Sequence, residues 1–199
     1  MIEPIFKSNK GQHLAQHSKR ELVNAILHLV KTGCQWRLLP NDFPPHNTVW
    51  SFYRLAVKSG KWEKAMDILV KKTRVDAVRK PTPTYGLIGS QSAKTTSAFA
   101  DRGFDGGKKV KGRKRHIVVD TMGNLLSISV LAANIHDTKS GINPAKKALE
   151  KYSTIQRFCG GDGYRKSFEE AVLEQLGLGV DISKRIKPES AMGSSITVI

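Results

Sequence analysis

Arg79-Lys80-Pro81-Thr82-Pro83-Thr84 contains two prolines and no apolar repeat, and the periodicity of the chain changes across it. Before this stretch, apolar residues recur at three- and four-residue spacing. After it, they fall in short runs bounded by glycine and polar residues, the pattern of strands. A chain of 199 residues with this switch is expected to fold as a small all-helical module followed by an α/β domain. The expected limits are 1–78 for the helical module, 79–84 for the linker and 85–199 for the second domain.

Within the first part, residues 1–17 carry little pattern. In SKRELVNAILHLVKTG, Ser18 and Glu21 have the spacing of a capping box, Leu22, Ile26, Leu29 and Val30 repeat at helical spacing, and Gly33 is a natural stop. A second helix is expected from Asn47 or Thr48 to Ser59, with Val49, Phe52, Tyr53 and Ala56 inward and Arg54 and Lys58 outward. A third runs from Trp62 to about Val75, with Trp62, Met66, Leu69 and Val70 inward. The tryptophans Trp36, Trp50 and Trp62 are expected in the core.

In the second part, Tyr85-Gly86-Leu87-Ile88 reads as a strand that breaks into a polar turn at Gly89-Ser90-Gln91-Ser92. Residues 99–114 are rich in glycine and lysine and read as a loop. His116–Asp120 and Leu125–Ala132 form a hairpin around Met122-Gly123-Asn124. A helix over about 139–151, a strand over 155–159, a helix over 167–176 and a last strand over 180–183 follow. Three leading strands followed by alternating helices and strands give the order of a ribonuclease-H-like mixed sheet with flanking helices.

Charge narrows the partner. With 33 Lys+Arg against 17 Asp+Glu the formal net charge is +16, which points to a polyanion, with nucleic acid first. No basic amphipathic helix, membrane-length apolar run or signal peptide is expected, so the reading is a cytoplasmic protein. Cys34 and Cys159 are too few and too far apart for a disulfide framework or a zinc site. The run from Lys108 through Lys109, Lys111, Arg113 and Lys114 to Arg115 reads either as a solvated loop or as a contact for the DNA backbone. The second helix, with Arg54 and Lys58, reads either as a groove-binding element or as part of a packing or dimerisation module. Asp120 reads as a turn former, Asp137 as a helix cap, and Asp101 and Asp105 as solvated loop residues.

Phosphodiester chemistry on such a fold needs carboxylates at neighbouring strand ends to hold Mg²⁺. Several stretches bear on this: TGCQWRLLPNDFPP with TVWSFYR, SQSAKTT, KKVKGRKRHIVVDTMGNLL, AANIHD, DGYRKSF and DISKR, covering residues 18 to about 187 in order. Together they make the chain similar to the DDE transposases of bacterial insertion sequences. That resemblance implies DNA binding at transposon ends, metal-dependent strand cleavage and strand transfer, Mg²⁺ as cofactor, an Asp-Asp-Glu ligand set, association with the nucleoid, and a homo-oligomer as one option.

Measured against that pattern, the ligand set is depleted. An aspartate is expected before Ser-Gln-Ser, where this chain has Gly89. The second is expected two residues before Gly-Tyr, where it has Gly161. Asp162, one place later, is the remaining candidate for the catalytic and metal-holding role. The third acid should lie on a later helix, and Glu189 stands too early for it, so the domain reads as incomplete at its C-terminal side. The resemblance therefore leads to a DNA-binding transposase whose catalysis is impaired, with a non-catalytic repressor of transposition or a decayed gene product as alternatives.

Overall fold

The computed structural model describes residues 3–6, 16–96 and 101–183. The chain divides into two compact units, Met1–Pro81 and Thr82–Ile199.

The first unit is helical: α1 (Glu3–Phe6), α2 (Lys19–Thr32), a 3-10 turn at Trp36–Leu38, α3 (His46–Lys58) and α4 (Lys61–Asp76). α2 begins with the capping box that its sequence spells. The Glu21 amide donates to Ser18 Oγ at 3.1 Å, and the Ser18 amide donates to Glu21 Oε2 at 2.9 Å. It ends at Gly33 in the left-handed conformation, whose N–H closes on the Leu29 carbonyl. Leu22, Ala25, Ile26 and Leu29 of α2 meet Val49 of α3, with Trp36, Phe43, Tyr53 and Trp62 packed around them. Phe6, Val23, Ala56 and Ala65 form a second cluster.

Three expectations shift here. Met66 and Leu69 are more than a third exposed, and the inward face of α4 is taken by Ala65, Val70 and the stem of Arg74. Val30 is exposed as well. Trp36 and Trp62 pack into the core as expected, whereas Trp50 lies edge-on to Trp36 at the surface.

The second unit is a mixed sheet with helices. Its elements are β1 (Tyr85–Lys94), β2 (Gly103–Asp105), β3 (Val110–Val119), β4 (Leu125–Ala132), α5 (Asp137–Ser140), α6 (Ile142–Lys151), β5 (Arg157–Gly161), α7 (Ser167–Leu176) and β6 (Gly179–Ser183). The main sheet runs β4-β3-β1-β5-β6. β3 is antiparallel to both β1 and β4, β5 is parallel to β1, and β6 is parallel to β5. This is the ribonuclease-H-like arrangement that the element order implied. β2 pairs with the first residues of β3 on the same side as β4. β4 is an outer strand, paired only with β3 among the described residues, and contains no charged side chain.

Three sequence expectations fail in an informative way. β1 does not stop at Ile88; it continues through Gly89-Ser90-Gln91-Ser92 to Lys94, paired along its length with β3. Residues 99–114 are not all loop either, since 103–105 form β2 and 110–114 open β3. The expected helix over 139–151 is two helices that meet at Gly141. A Cβ there would lie 2.7 Å from the Tyr164 ring and 3.0 Å from Phe168, so only glycine lets the chain pass this close.

Strand alternation divides the sheet into two faces. On one, Gly86, Ile88, Ser90 and Ser92 of β1 lie beside Val118, His116 and Lys114 of β3 and Phe158 and Gly160 of β5, and α5, α6 and α7 cover them. On the other stand Leu87, Gly89, Gln91 and Ala93, with Val119, Ile117, Arg115 and Arg113 across β3 and Cys159 and Gly161 on β5. No helix of this unit packs on that second face among the described residues.

Candidate nucleic-acid interface

Gly89 and Gly161 are neighbours. β1 and β5 run parallel with Ile88 paired to Gly160, so the next residues, Gly89 and Gly161, stand side by side on the uncovered face. Adjacent strands put them about 5 Å apart. A Cβ built on either would meet nothing within 4 Å. The backbone of Gly161 is extended, with φ −78°, and Gly89 lies within a regular ladder, so neither position demands glycine for its conformation. Two side chains would fit here and would point to the same side.

Asp162 follows Gly161 in a short 3-10 turn, Asp162–Tyr164. It is exposed, and its carboxylate pairs with Arg165 three residues on. Among the described residues no group of three His, Cys, Asp or Glu side chains is placed to hold a metal ion.

The cations of the basic run separate by face. Lys111, Arg113 and Arg115 alternate on the uncovered face of β3, and Arg115 donates to Gln91 Oε1 at 2.9 Å. Lys108 and Lys109 are exposed in the turn between β2 and β3. Lys114 is not at the surface. It is 5% exposed, and its ammonium lies 2.9 Å from Asp137 Oδ1, 3.2 Å from Asp105 Oδ2 and 3.0 Å from the Ile135 carbonyl. Its role is internal, because the ammonium is buried between two carboxylates and a backbone carbonyl. In the first unit, Arg54 and Lys58 are exposed on α3 and border a shallow depression with Tyr53 and Leu55.

Behind β1 the polar residues form a network that sequence reading missed. Ser90 donates to Asp137 Oδ2 at 2.7 Å, Ser92 donates to Asp105 Oδ2 at 2.6 Å, and Lys108 donates to Ser90 Oγ at 2.9 Å. Asp105 is therefore a buried anchor and not a solvated loop residue. The Ser92 hydrogen bond, helped by the Lys108 amide and by Lys114, holds its carboxyl far below the usual range against the opposing effect of burial. Asp137 is not the cap; His136 caps α5, and Asp137 is its first residue. Burial pushes the Asp137 carboxyl up, but hydrogen bonds from Lys114 and Ser90 outweigh it and the net shift is downward. Burial likewise opposes the charge on Lys114, and Asp137 and Asp105 reverse that, so its ammonium is held above the ordinary value.

His116 sits deeper still, fully buried. Ser140 Oγ donates to the His136 carbonyl, so His116 Nε2 donates to Ser140 Oγ at 2.8 Å, and His116 Nδ1 accepts from the Tyr164 hydroxyl at 3.0 Å. That assigns a neutral imidazole, and burial lowers its affinity for a proton. Asp120 is the turn former its position suggested. It accepts from the amides of Met122 and Asn124 and from the Asn124 side chain.

Residues 1–66 match the family model described as a transposase of the IS4/5 family, and residues 75–181, more than half of the chain, match the transposase DDE domain. The chain belongs to the DDE transposases. No curated protein matches it. Among solved structures it is similar to the piggyBac transposase in a cryo-EM synaptic complex with hairpin DNA, at 10% identity and a TM-score of 0.41, over 97% of this chain and 48% of that one. The chain thus spans about half the length of that transposase.

DDE transposases use a divalent metal, and the donors among the described residues do not gather to hold one. Gly89 and Gly161, side by side on β1 and β5, offer no side-chain donor. The adjacent acid, Asp162, is engaged by Arg165, and hard cations need several oxygens. Glu189, the remaining acid weighed from the sequence, lies outside the described residues.

Proposed function

We propose that this chain is a DNA-binding transposase of the insertion-sequence type that acts in DNA transposition by engaging transposon ends, and that its own cleavage centre is disabled. The observation that carries this reading is the pair Gly89 and Gly161. They lie on adjacent parallel strands, Gly89 midway along β1 and Gly161 at the end of β5, with open space above both where Mg²⁺-holding carboxylates would have to project. The cationic side chains that would hold a DNA backbone remain: Lys111, Arg113 and Arg115 on one sheet face, Lys108 and Lys109 in the adjoining turn, and Arg54 and Lys58 on α3. Lys114 is left out of this set because it is buried in ion pairs. Asp162 alone, paired with Arg165, does not make up for the missing donors.

The test uses the full chain and a duplex carrying the matching insertion-sequence ends. Binding is read by fluorescence anisotropy, and strand nicking is followed with Mg²⁺ or Mn²⁺. The expected result is binding with no metal-dependent nicking above background. Robust turnover would overturn the proposal, and so would failure to bind DNA. The retained cations beside a stripped metal site also favour a repressor role, in which the chain occupies ends that an intact transposase would cut. Its signature is dose-dependent inhibition of cleavage by an active relative.

A further inference from the structure

Gly89 and Gly161 do more than remove metal ligands. They change the charge of the surface on which a phosphate would rest. On the uncovered face, the ground between Gly89, midway along β1, and Gly161, at the end of β5, is bare backbone. Next to it, on β3, Arg115, Arg113 and Lys111 recur at every second residue, about 7 Å apart and spanning about 14 Å. The acids nearest this ground are already matched. Asp162 is paired with Arg165. Asp181, level with Cys159, accepts from Tyr85 Oη at 2.7 Å and from Arg157 at 2.6 Å.

We infer that this face is a metal-independent seat for the phosphodiester backbone of duplex DNA, in which Arg115, Arg113 and Lys111 neutralise the phosphates directly and the two glycines let the backbone approach the sheet. The inference rests on the DNA-binding reading above and deepens it. A pair of carboxylates at 89 and 161 would repel a phosphate unless a divalent cation lay between them. Glycine removes both the repulsion and the need for the cation. The departure that disables cleavage therefore improves binding in the absence of metal.

The test is anisotropy with a labelled duplex and the full chain, in EDTA and in Mg²⁺. Wild type is expected to bind at least as tightly in EDTA as in Mg²⁺, since added cations only compete for the phosphates. The variant G89D/G161D is expected to bind about tenfold more weakly in EDTA, from two added negative charges near a phosphate, with most of that deficit recovered in Mg²⁺. G89N/G161N, of the same size but neutral, is expected to match wild type, and a thermal melt of each variant confirms that it is folded. R115Q is expected to weaken binding in both buffers and to reduce the salt slope by about one. Wild-type binding that requires Mg²⁺, or G89D/G161D binding as tightly as wild type in EDTA, overturns this inference while leaving the DNA-binding reading intact. Wild type that does not bind DNA under either condition overturns both.

Discussion

Lys114 and Asp137 meet on the helix-covered side of the sheet, ammonium nitrogen to carboxylate oxygen at 2.9 Å, with side chains 7% and 17% exposed. The pair ties β3 to the start of α5, and Asp105 extends it to β2. Removing one partner of a buried pair leaves the other charge uncompensated. Lys114→Met is therefore expected to destabilise the second unit by about 3–5 kcal/mol, measured by urea denaturation. Arg115→Met, one residue on and facing solvent, should change stability by less than about 0.5 kcal/mol while weakening DNA binding. Equal stability losses would mean that the two faces of β3 are wrongly assigned.

Stability should fall in acid in two stages. His116 is held neutral, its folded pKa depressed below the ordinary 6.5 by burial. Once the pH drops below about 6.5 the unfolded chain takes a proton that the folded chain resists, and stability declines from there downward. The second stage comes from Asp105 and Asp137, whose folded values lie below 3.8. Their contribution is intact above that pH and is lost as the pH falls through their folded values. Chemical denaturation between pH 7.5 and 4.5 reads the first stage, and His116→Gln should flatten it. At the other extreme, the raised Lys114 contributes stability that persists to about pH 10.5 and fades above it.

Two glycines three residues apart on β1 should respond oppositely to alanine. At Gly86 a Cβ would lie 2.8 Å from the Phe158 ring and 3.2 Å from Val118. Gly86→Ala is expected to cost about 1–3 kcal/mol through overpacking. At Gly89 the space is open, and Gly89→Ala should be neutral or stabilising by up to about 1 kcal/mol, because alanine has less backbone entropy to lose. Thermal melts of the two single variants decide this. A large drop at position 89 would mean that the face is covered.

DNA affinity should depend steeply on salt. Removing a cation that neutralises one phosphate should lower the slope of log K against log salt by about 0.9. Neutralising Lys111, Arg113 and Arg115 together is expected to reduce it by nearly three, with a smaller change for Arg54 and Lys58 if α3 also touches the duplex. A slope unchanged in the triple variant would move the DNA away from this sheet face.

Local signals were the legible ones. Ser18 with Glu21, Gly33 and the Met122-Gly123-Asn124 turn are written within a few residues of where they act, and the strands and helices after the linker fall near their expected places. β1 misled because Ser90 and Ser92 look like a turn in sequence. Their hydroxyls are satisfied by Asp137 and Asp105, 47 and 13 residues away, and that pairing lets polar residues occupy a buried strand face. The basic run misled for the same reason. Its two-residue alternation places Gly112, Lys114 and His116 inside and Lys111, Arg113 and Arg115 outside, but a lysine marks the inward position only once its carboxylate partners are known. The empty positions 89 and 161 were visible as departures from a family pattern. That they share a face required the strand register.

β4 has a bearing on how the protein behaves in the tube. LLSISVLA forms the rim of the sheet with no lysine, glutamate or proline to deter an incoming chain, and Ile128 and Val130 stand at its surface. Among the described residues this leaves an unpaired edge able to accept a strand from a second copy by backbone hydrogen bonding. A single Ile128→Lys or Val130→Lys change at that rim is the first remedy to try for inclusion bodies.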